Sequence, residues 1–147
     1  MKHRTIVITA AAALLIAAVL FTLGTVNGIR QVGAAEPSKL MVLWTSGDRD
    51  VAIKMVYMYA YNAKKQGWWD EVRFVIWGPS SLLLSVDKDL QDYLKKMKDE
   101  GVILEACKAC SDMYGVSDKL TAMGVDVKYM GKPLTEMLKS GYTTMTF

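Results

Sequence analysis

Gly101-Val102-Ile103-Leu104-Glu105-Ala106-Cys107-Lys108-Ala109-Cys110-Ser111-Asp112-Met113-Tyr114-Gly115-Val116 is the stretch on which the reading of this 147-residue chain turns. The apolar run Val102 to Leu104 predicts a buried strand, and the amphipathic segment Ala109 to Met123 predicts a helix. Both cysteines then fall at a strand-to-helix turn. Unpaired backbone N–H groups and the positive end of a helix dipole favour thiolate there, and Lys108 adds a positive charge beside Cys110. The expected chemistry is sulfur or redox chemistry at Cys110.

Outward from this unit the pattern repeats. Leu40-Met41-Val42-Leu43-Trp44 is a continuous apolar run suited to a central parallel strand covered by helices on both faces. Thr45-Ser46-Gly47-Asp48 breaks it, with Ser46 or Asp48 as the N-cap of a helix from Arg49 to Gln66 that Gly67 stops. Val72 to Trp77 is a second strand ending at Gly78-Pro79. A short helix or turn begins at Leu82 to Leu84, and a helix from Asp87 to Asp99 carries Leu90, Tyr93, Leu94 and Met97 on one face. Asp87 and Asp112 are expected as helix-start residues. After the cysteine unit, Val125 to Tyr129 is a fourth strand, Leu134 to Lys139 a short helix and Tyr142 to Phe147 a last strand. This alternation predicts an α/β sandwich around a mainly parallel sheet. The turns at Ser46-Gly47, Gly78-Pro79, Cys107-Cys110 and Gly131-Lys132 should share the rim beyond the strands' carboxyl ends.

Residues 1–35 differ in kind. Lys2-His3-Arg4 precede Ile6 to Leu23, eighteen uncharged residues rich in Ala, Leu, Ile and Val. This predicts an N-terminal hydrophobic helix, either a signal peptide cleaved near Val32-Gly33-Ala34-Ala35 or a permanent anchor through residues 6–23. In both cases the basic start sends residues 36–147 to the extracytoplasmic side, periplasmic or cell-surface.

The helix from Arg49 to Gln66 is apolar on two sides. Ala52, Met55, Val56, Tyr59, Ala60 and Ala63 form a face expected on the sheet, while Ile53, Tyr57, Met58 and Tyr61 form another. A second burial against another subunit suits these Tyr and Met residues, with Trp68-Trp69 extending the patch. A homo-oligomer is expected.

Composition excludes several functions. The formal charge is +3, but Lys2, Arg4 and Arg30 precede Glu36 and every acidic residue lies at or after it. The remaining fifteen Lys and Arg balance fifteen acids, so no basic face points to nucleic acid. The single histidine, His3, lies in the leader, which removes Cys-His and Ser-His-Asp hydrolase arrangements from the domain. Two cysteines without histidine cannot close a zinc site within one chain, leaving only a site shared between subunits. The Ser46-Gly47 turn lacks the glycines and the Lys-Ser/Thr pair of a phosphate loop, so neither nucleotide, metal nor other cofactor is expected. Cys107 and Cys110 as a redox dithiol, a structural disulfide or inert buried thiols all stay open.

The run Glu105 to Val116, together with Trp77-Gly78-Pro79-Ser80-Ser81 and Met130-Gly131-Lys132-Pro133-Leu134-Thr135, resembles the DsrE/DsrF-like (YchN-like) family of small sulfur-trafficking proteins over Lys39 to Phe147. The resemblance implies a three-layer α/β/α sandwich that assembles as a trimer or hexamer. It also implies that Cys110 holds a persulfide received from, or handed to, a sulfur donor or acceptor protein, with Cys107 as a second or resolving thiol. A sulfurtransferase-like carrier with Cys110, Cys107 and Lys108 at its site is therefore expected. The alternatives are an extracytoplasmic thiol–disulfide oxidoreductase using Cys107 and Cys110, and a non-catalytic assembly subunit.

Overall fold

A computed structural model of the protein describes residues 36–147. The hydrophobic leader expected in residues 1–35 lies outside the described residues. Pro37–Phe147 forms one compact unit. Among the described residues no helix is long and apolar enough to cross a membrane.

Five parallel strands form one sheet in the order β4-β3-β2-β1-β5. They are β1 (Lys39–Trp44), β2 (Glu71–Ile76), β3 (Ile103–Cys107), β4 (Asp126–Lys128) and β5 (Thr143–Thr146). Helix α1 joins β1 to β2 in three segments, Arg49–Val51, Ala52–Val56 and Tyr57–Lys65. Next come α2 (Pro79–Val86) and α3 (Lys88–Asp99), α4 (Lys108–Met113) and α5 (Ser117–Ala122), and finally α6 (Gly131–Lys139) before β5.

Strand order dictates where the helices go. The crossovers from β1 through β4 step one strand at a time in one direction, so the right-handed rule puts their helices on one face. The return from β4 to β5 runs the other way and puts α6 on the opposite face. Packing agrees with this division. Leu40, Val42, Trp44, Phe74, Ile76, Leu104 and Ala106 are buried with side chains of α1, α2, α3 and α5. On the other face Met41, Val75 and Cys107 are buried with Met130 and Met137, Leu134 packing beside them. The result is an α/β fold with helices on both sides of a parallel sheet. One nine-residue helix cannot cover five strands, and the second face carries Lys39, Glu71, Arg73, Glu105 and Lys128 beside α6; Lys39, Arg73, Glu105 and Lys128 line a cleft with its Pro133, Glu136 and Met137.

Most elements lie where the apolar pattern puts them, but α1 does not present the expected face. Tyr57, assigned to its outer side, is fully buried, whereas Met55, assigned to the sheet, is 52% exposed. The middle segment Ala52–Val56 is π-helical. A wider turn delays the rotation of the helix, so every later side chain is displaced from its 3.6-residue position. Tyr57 thereby enters an aromatic core, with ring centroids 5.1 Å from Trp44 and 5.0 Å from Phe74, both edge-on. Edge-on pairs contribute ~1 kcal/mol each beyond the area they bury. Met58 and Trp68 stay exposed as Met55 does, and the Tyr59 ring lies tilted against Trp68 with centroids 6.1 Å apart.

The N-terminus of α1 is capped by Asp48, whose side chain accepts from the backbone N–H of Asp50 at 2.8 Å and of Val51 at 3.1 Å. Asp87 caps α3 in the same way, accepting from Leu90 N–H at 3.0 Å.

Candidate functional site

Because all five strands are parallel, their carboxyl ends Trp44, Ile76, Cys107 and Lys128 lie on one edge. The turns that follow meet there. Gly47 approaches Pro79 so closely that a Cβ on it would sit 3.4 Å from the proline Cβ. The β2 turn is tied to β1 by Trp77 N–H on the Trp44 carbonyl at 2.9 Å and by the Ser80 hydroxyl on the same oxygen at 2.7 Å. Ser80 is fully buried, and its Oγ also accepts from Trp77 N–H at 3.0 Å. Gly78 has φ 71° and ψ −132°, a backbone conformation that side chains do not favour. This geometry brings the Gly78 backbone N–H toward Cys110.

Strand β3 runs further than Leu104 and ends on Cys107 itself. Alternation along β3 puts Leu104 and Ala106 on the four-helix face and Glu105 and Cys107 on the α6 face. Cys107 is 4% exposed among Met41, Val75, Met130 and Met137. It is also the backbone N-cap of α4, so Cys110 is the third residue of that helix and sits half-buried at the rim. Both thiols are free.

The predicted helix Ala109 to Met123 is two helices. A Schellman motif ends α4: Val116 N–H donates to Ser111 C=O at 2.9 Å and Gly115 N–H to Asp112 C=O at 3.0 Å. Gly115 supplies the φ of 66° that the motif demands. A periodic apolar pattern continues across such a break, which is why periodicity alone merged the two. Asp112 is consequently no helix-start residue. It closes α4, accepting from Lys108 Nζ at 2.6 Å and from the Ser117 hydroxyl of α5. These two hydrogen bonds hold its carboxyl below the usual range. Ser111, fully buried, shares a 2.7 Å hydrogen bond with Ser117 and braces the same junction.

Charge at the site also differs from the sequence argument. Burial pushes the Cys110 thiol above its ordinary value, contact with the Cys107 thiol adds to this, and the Gly78 N–H opposes it. The helix that was to stabilise a thiolate is six residues long, so its dipole is small. Lys108 is engaged elsewhere: its ammonium bonds Asp112 and lies 5.8 Å from the centre of the Tyr129 ring. The hydrogen bond to Asp112 raises its own pKa. Cys107, Lys108 and Cys110 are thus brought into one turn, with Cys110 resting as a thiol. Exposed Met113, Tyr114 and Tyr129 flank it. Among the described residues no three His, Cys, Asp or Glu side chains converge as a metal site.

One group escaped the sequence reading. Glu105 is 1% exposed, and its Oε1 accepts from Arg73 Nη1 at 3.0 Å and Lys128 Nζ at 2.6 Å. Arg73 Nε also donates to Glu71 at 2.7 Å and to the Tyr142 hydroxyl at 3.0 Å, and that hydroxyl donates to Glu71. Burial works against the Arg73 charge, but the bonds to Glu71 and Tyr142 and the charge of Glu105 outweigh it and raise the guanidinium pKa. A carboxylate between Leu104 and Ala106 in a buried strand was the available signal.

The profile of the DsrE/DsrF-like family matches residues 38–147. A solved conserved protein of unknown function from Bacteroides thetaiotaomicron, BT1422, is 38% identical with a TM-score of 0.73, covering 75% of this chain and 95% of that one. The solved ychN protein from E. coli is 16% identical with a TM-score of 0.61, covering 76% of this chain and 100% of that one, and shares the fold. Among curated proteins, none matches the chain. By the extent of the profile match and the likeness to BT1422, the chain belongs to the DsrE/DsrF-like family.

Proposed function

We propose that this protein is a sulfur carrier that holds a persulfide on Cys110 and passes it to a partner protein. The observation that carries the reading is the placement of Cys110, half-exposed on the rim of a DsrE/DsrF-like domain with the Cys107 thiol beside it. Loading begins when Cys110 gives its proton to solvent and the thiolate attacks the outer sulfur of a donor persulfide, R–S–SH. The donor S–S bond breaks, R–S⁻ leaves with the electron pair, and Cys110–S–SH forms. Unloading is the same exchange with an acceptor thiolate, which takes the outer sulfur and returns Cys110 as thiolate. No net oxidation occurs in either step. The raised pKa of free Cys110 suits a carrier that stays closed until a donor docks and changes the surroundings of the thiol.

Contact between the two thiols supports a second reading, a thiol–disulfide oxidoreductase. In that case the Cys110 thiolate attacks a substrate disulfide and one substrate thiolate leaves; Cys107 then attacks the Cys110 sulfur of the mixed disulfide, the second substrate thiolate leaves, and the Cys107–Cys110 disulfide forms. The exposed surface of Met55, Met58 and Trp68 supports a homo-oligomer, trimeric or hexameric in this proposal. We place the domain on the extracytoplasmic side, through a leader either cleaved or kept as an anchor, from the Lys2-His3-Arg4 start and the uncharged run after it.

Transfer tests the carrier directly. Protein loaded with polysulfide and desalted is mixed with a thiol acceptor. The carrier returns Cys110 to the free thiol and yields acceptor persulfide. A Cys107–Cys110 disulfide formed by loss of two hydrogens alone, with no sulfur held or passed to the acceptor, instead supports the oxidoreductase.

A further inference from the structure

Five sulfur atoms gather on the α6 face of the sheet, where Cys107 and Cys110 pack in one cluster with Met41, Met130 and Met137. The two cysteines meet by construction. Cys107 is the N-cap of α4 and Cys110 its third residue, the spacing at which the two side chains of a helix start reach each other. Their thiols are in hydrogen-bond contact. Strand register tells which thioether stands level with them. Met41 pairs with Arg73 and Arg73 with Ile103, so Met41 is four residues, or ~13 Å, down the strand direction from Cys107. Met137 lines the cleft with Arg73, at the level of Met41. Met130 is placed differently. Cys107 pairs with Lys128 at the end of β4, and Met130 follows directly as the N-cap of α6, fully buried. Met130 therefore shares both the cluster and the level of Cys107.

Two thiols and a thioether are a set of soft donors. Among the described residues no third His, Cys, Asp or Glu joins them, so zinc, which takes four ligands, and metals that prefer oxygen find too few partners. Cu(I) is the opposite case, since it favours Cys and Met sulfur and accepts fewer ligands. The surroundings suit it. Cys107 is almost closed to water, Trp77 and Leu134 pack beside the cluster, and half-buried Cys110 keeps the pair within reach from the rim. We infer that Cys107, Cys110 and Met130 form a binding site for one Cu(I) ion. The ion takes the place of the proton on each thiol and accepts a lone pair from the Met130 thioether. Two protons pass to solvent, and no electron is transferred. The bound centre carries one negative charge, and the Gly78 N–H at Cys110 faces it. The inference stands apart from the carrier reading, because it needs only free thiols. With copper bound, Cys110 has no thiolate to offer a sulfur donor.

Anaerobic titration of the reduced full chain with Cu(I), in competition with the indicator bicinchoninate and followed by X-ray absorption at the copper edge, tests the inference. Wild type should take one Cu(I) per chain from the indicator and show three sulfur neighbours on the metal. Met130→Leu nearly keeps the side-chain volume. It should hold copper at least about tenfold more weakly, the loss that even a change outside the ligand set produces, and show two sulfur neighbours. Cys107→Ser and Cys110→Ser should each fail to hold copper against the indicator. The inference is overturned if wild type takes no copper, if one ion is shared between two chains, if either serine variant binds as wild type does, or if Met130→Leu keeps the wild-type affinity. Should Met130→Leu not fold, the sulfur count of wild type decides: three supports the site and two overturns it. Polysulfide uptake is read on metal-free protein, so the copper site and the sulfur carrier stand or fall by separate assays.

Discussion

Replacing Gly78 by alanine separates strain from packing at the rim. Gly78 has φ 71° and ψ −132°, and an added Cβ would meet nothing within 4 Å. The cost is therefore conformational. An L-residue held in this region costs about 1–3 kcal/mol, which in a domain of this size lowers Tm by roughly 4–8 °C per kcal/mol. The turn cannot simply relax, because Trp77 N–H and the Ser80 hydroxyl anchor it to the Trp44 carbonyl. Any relief comes from rotating the Gly78 peptide, whose N–H opposes the rise that burial and Cys107 impose on the Cys110 pKa. Gly78→Ala should thus do two things: lower stability in chemical denaturation by about 1–3 kcal/mol, and shift the pH dependence of Cys110 alkylation further upward. A variant as stable as wild type with an unchanged alkylation profile would refute the assignment of Gly78 to both roles.

Alkylation of wild type should itself show half-maximal Cys110 reactivity at a higher pH than a free cysteine, because burial favours the protonated form; an iodoacetamide profile at or below the free value contradicts this. Arg73→Met leaves Glu105 with only Lys128 and should cost about 2 kcal/mol, less than the ~3–5 of a wholly unpaired buried charge, measured by urea denaturation. Asp48→Ala removes the cap on α1 and should cost about 1 kcal/mol in the same assay. Met58→Lys together with Trp68→Lys should shift the protein to smaller species in sedimentation while leaving the circular dichroism spectrum intact, since both side chains are exposed in the monomer. A monomeric wild type refutes the homo-oligomer, and an unchanged assembly in the double variant moves the interface elsewhere.

What the sequence made legible was whatever depends on apolar period and chain punctuation. The strands expected at Leu40-Trp44 and Val72-Trp77, the latter ending one residue earlier, the cap expected at Ser46 or Asp48 and found at Asp48, the cap at Asp87, and the meeting of four turns on one rim all followed from runs, breaks and strand direction. Tyr57 and Met55 changed places because a π-helical segment is invisible to a 3.6-residue period. Asp112 and the break at Gly115 were misread because one apolar stripe serves α4 and α5 alike. The residues around Cys110 were found by spacing, yet their electrostatics were not, because they depend on burial and on which carboxylate captures Lys108. Glu105 and Arg73 stand 32 residues apart and meet only through the register of β2 and β3. No local pattern announces such a pair.

The central claim is that Cys110 carries sulfur. Intact-protein mass spectrometry after exposure to polysulfide, on wild type, Cys107→Ser and Cys110→Ser, tests it most directly. The account predicts a mass increase of one sulfur atom on wild type and Cys107→Ser that disappears in Cys110→Ser. Uptake by Cys110→Ser equal to wild type, or no uptake by any of the three, would contradict it.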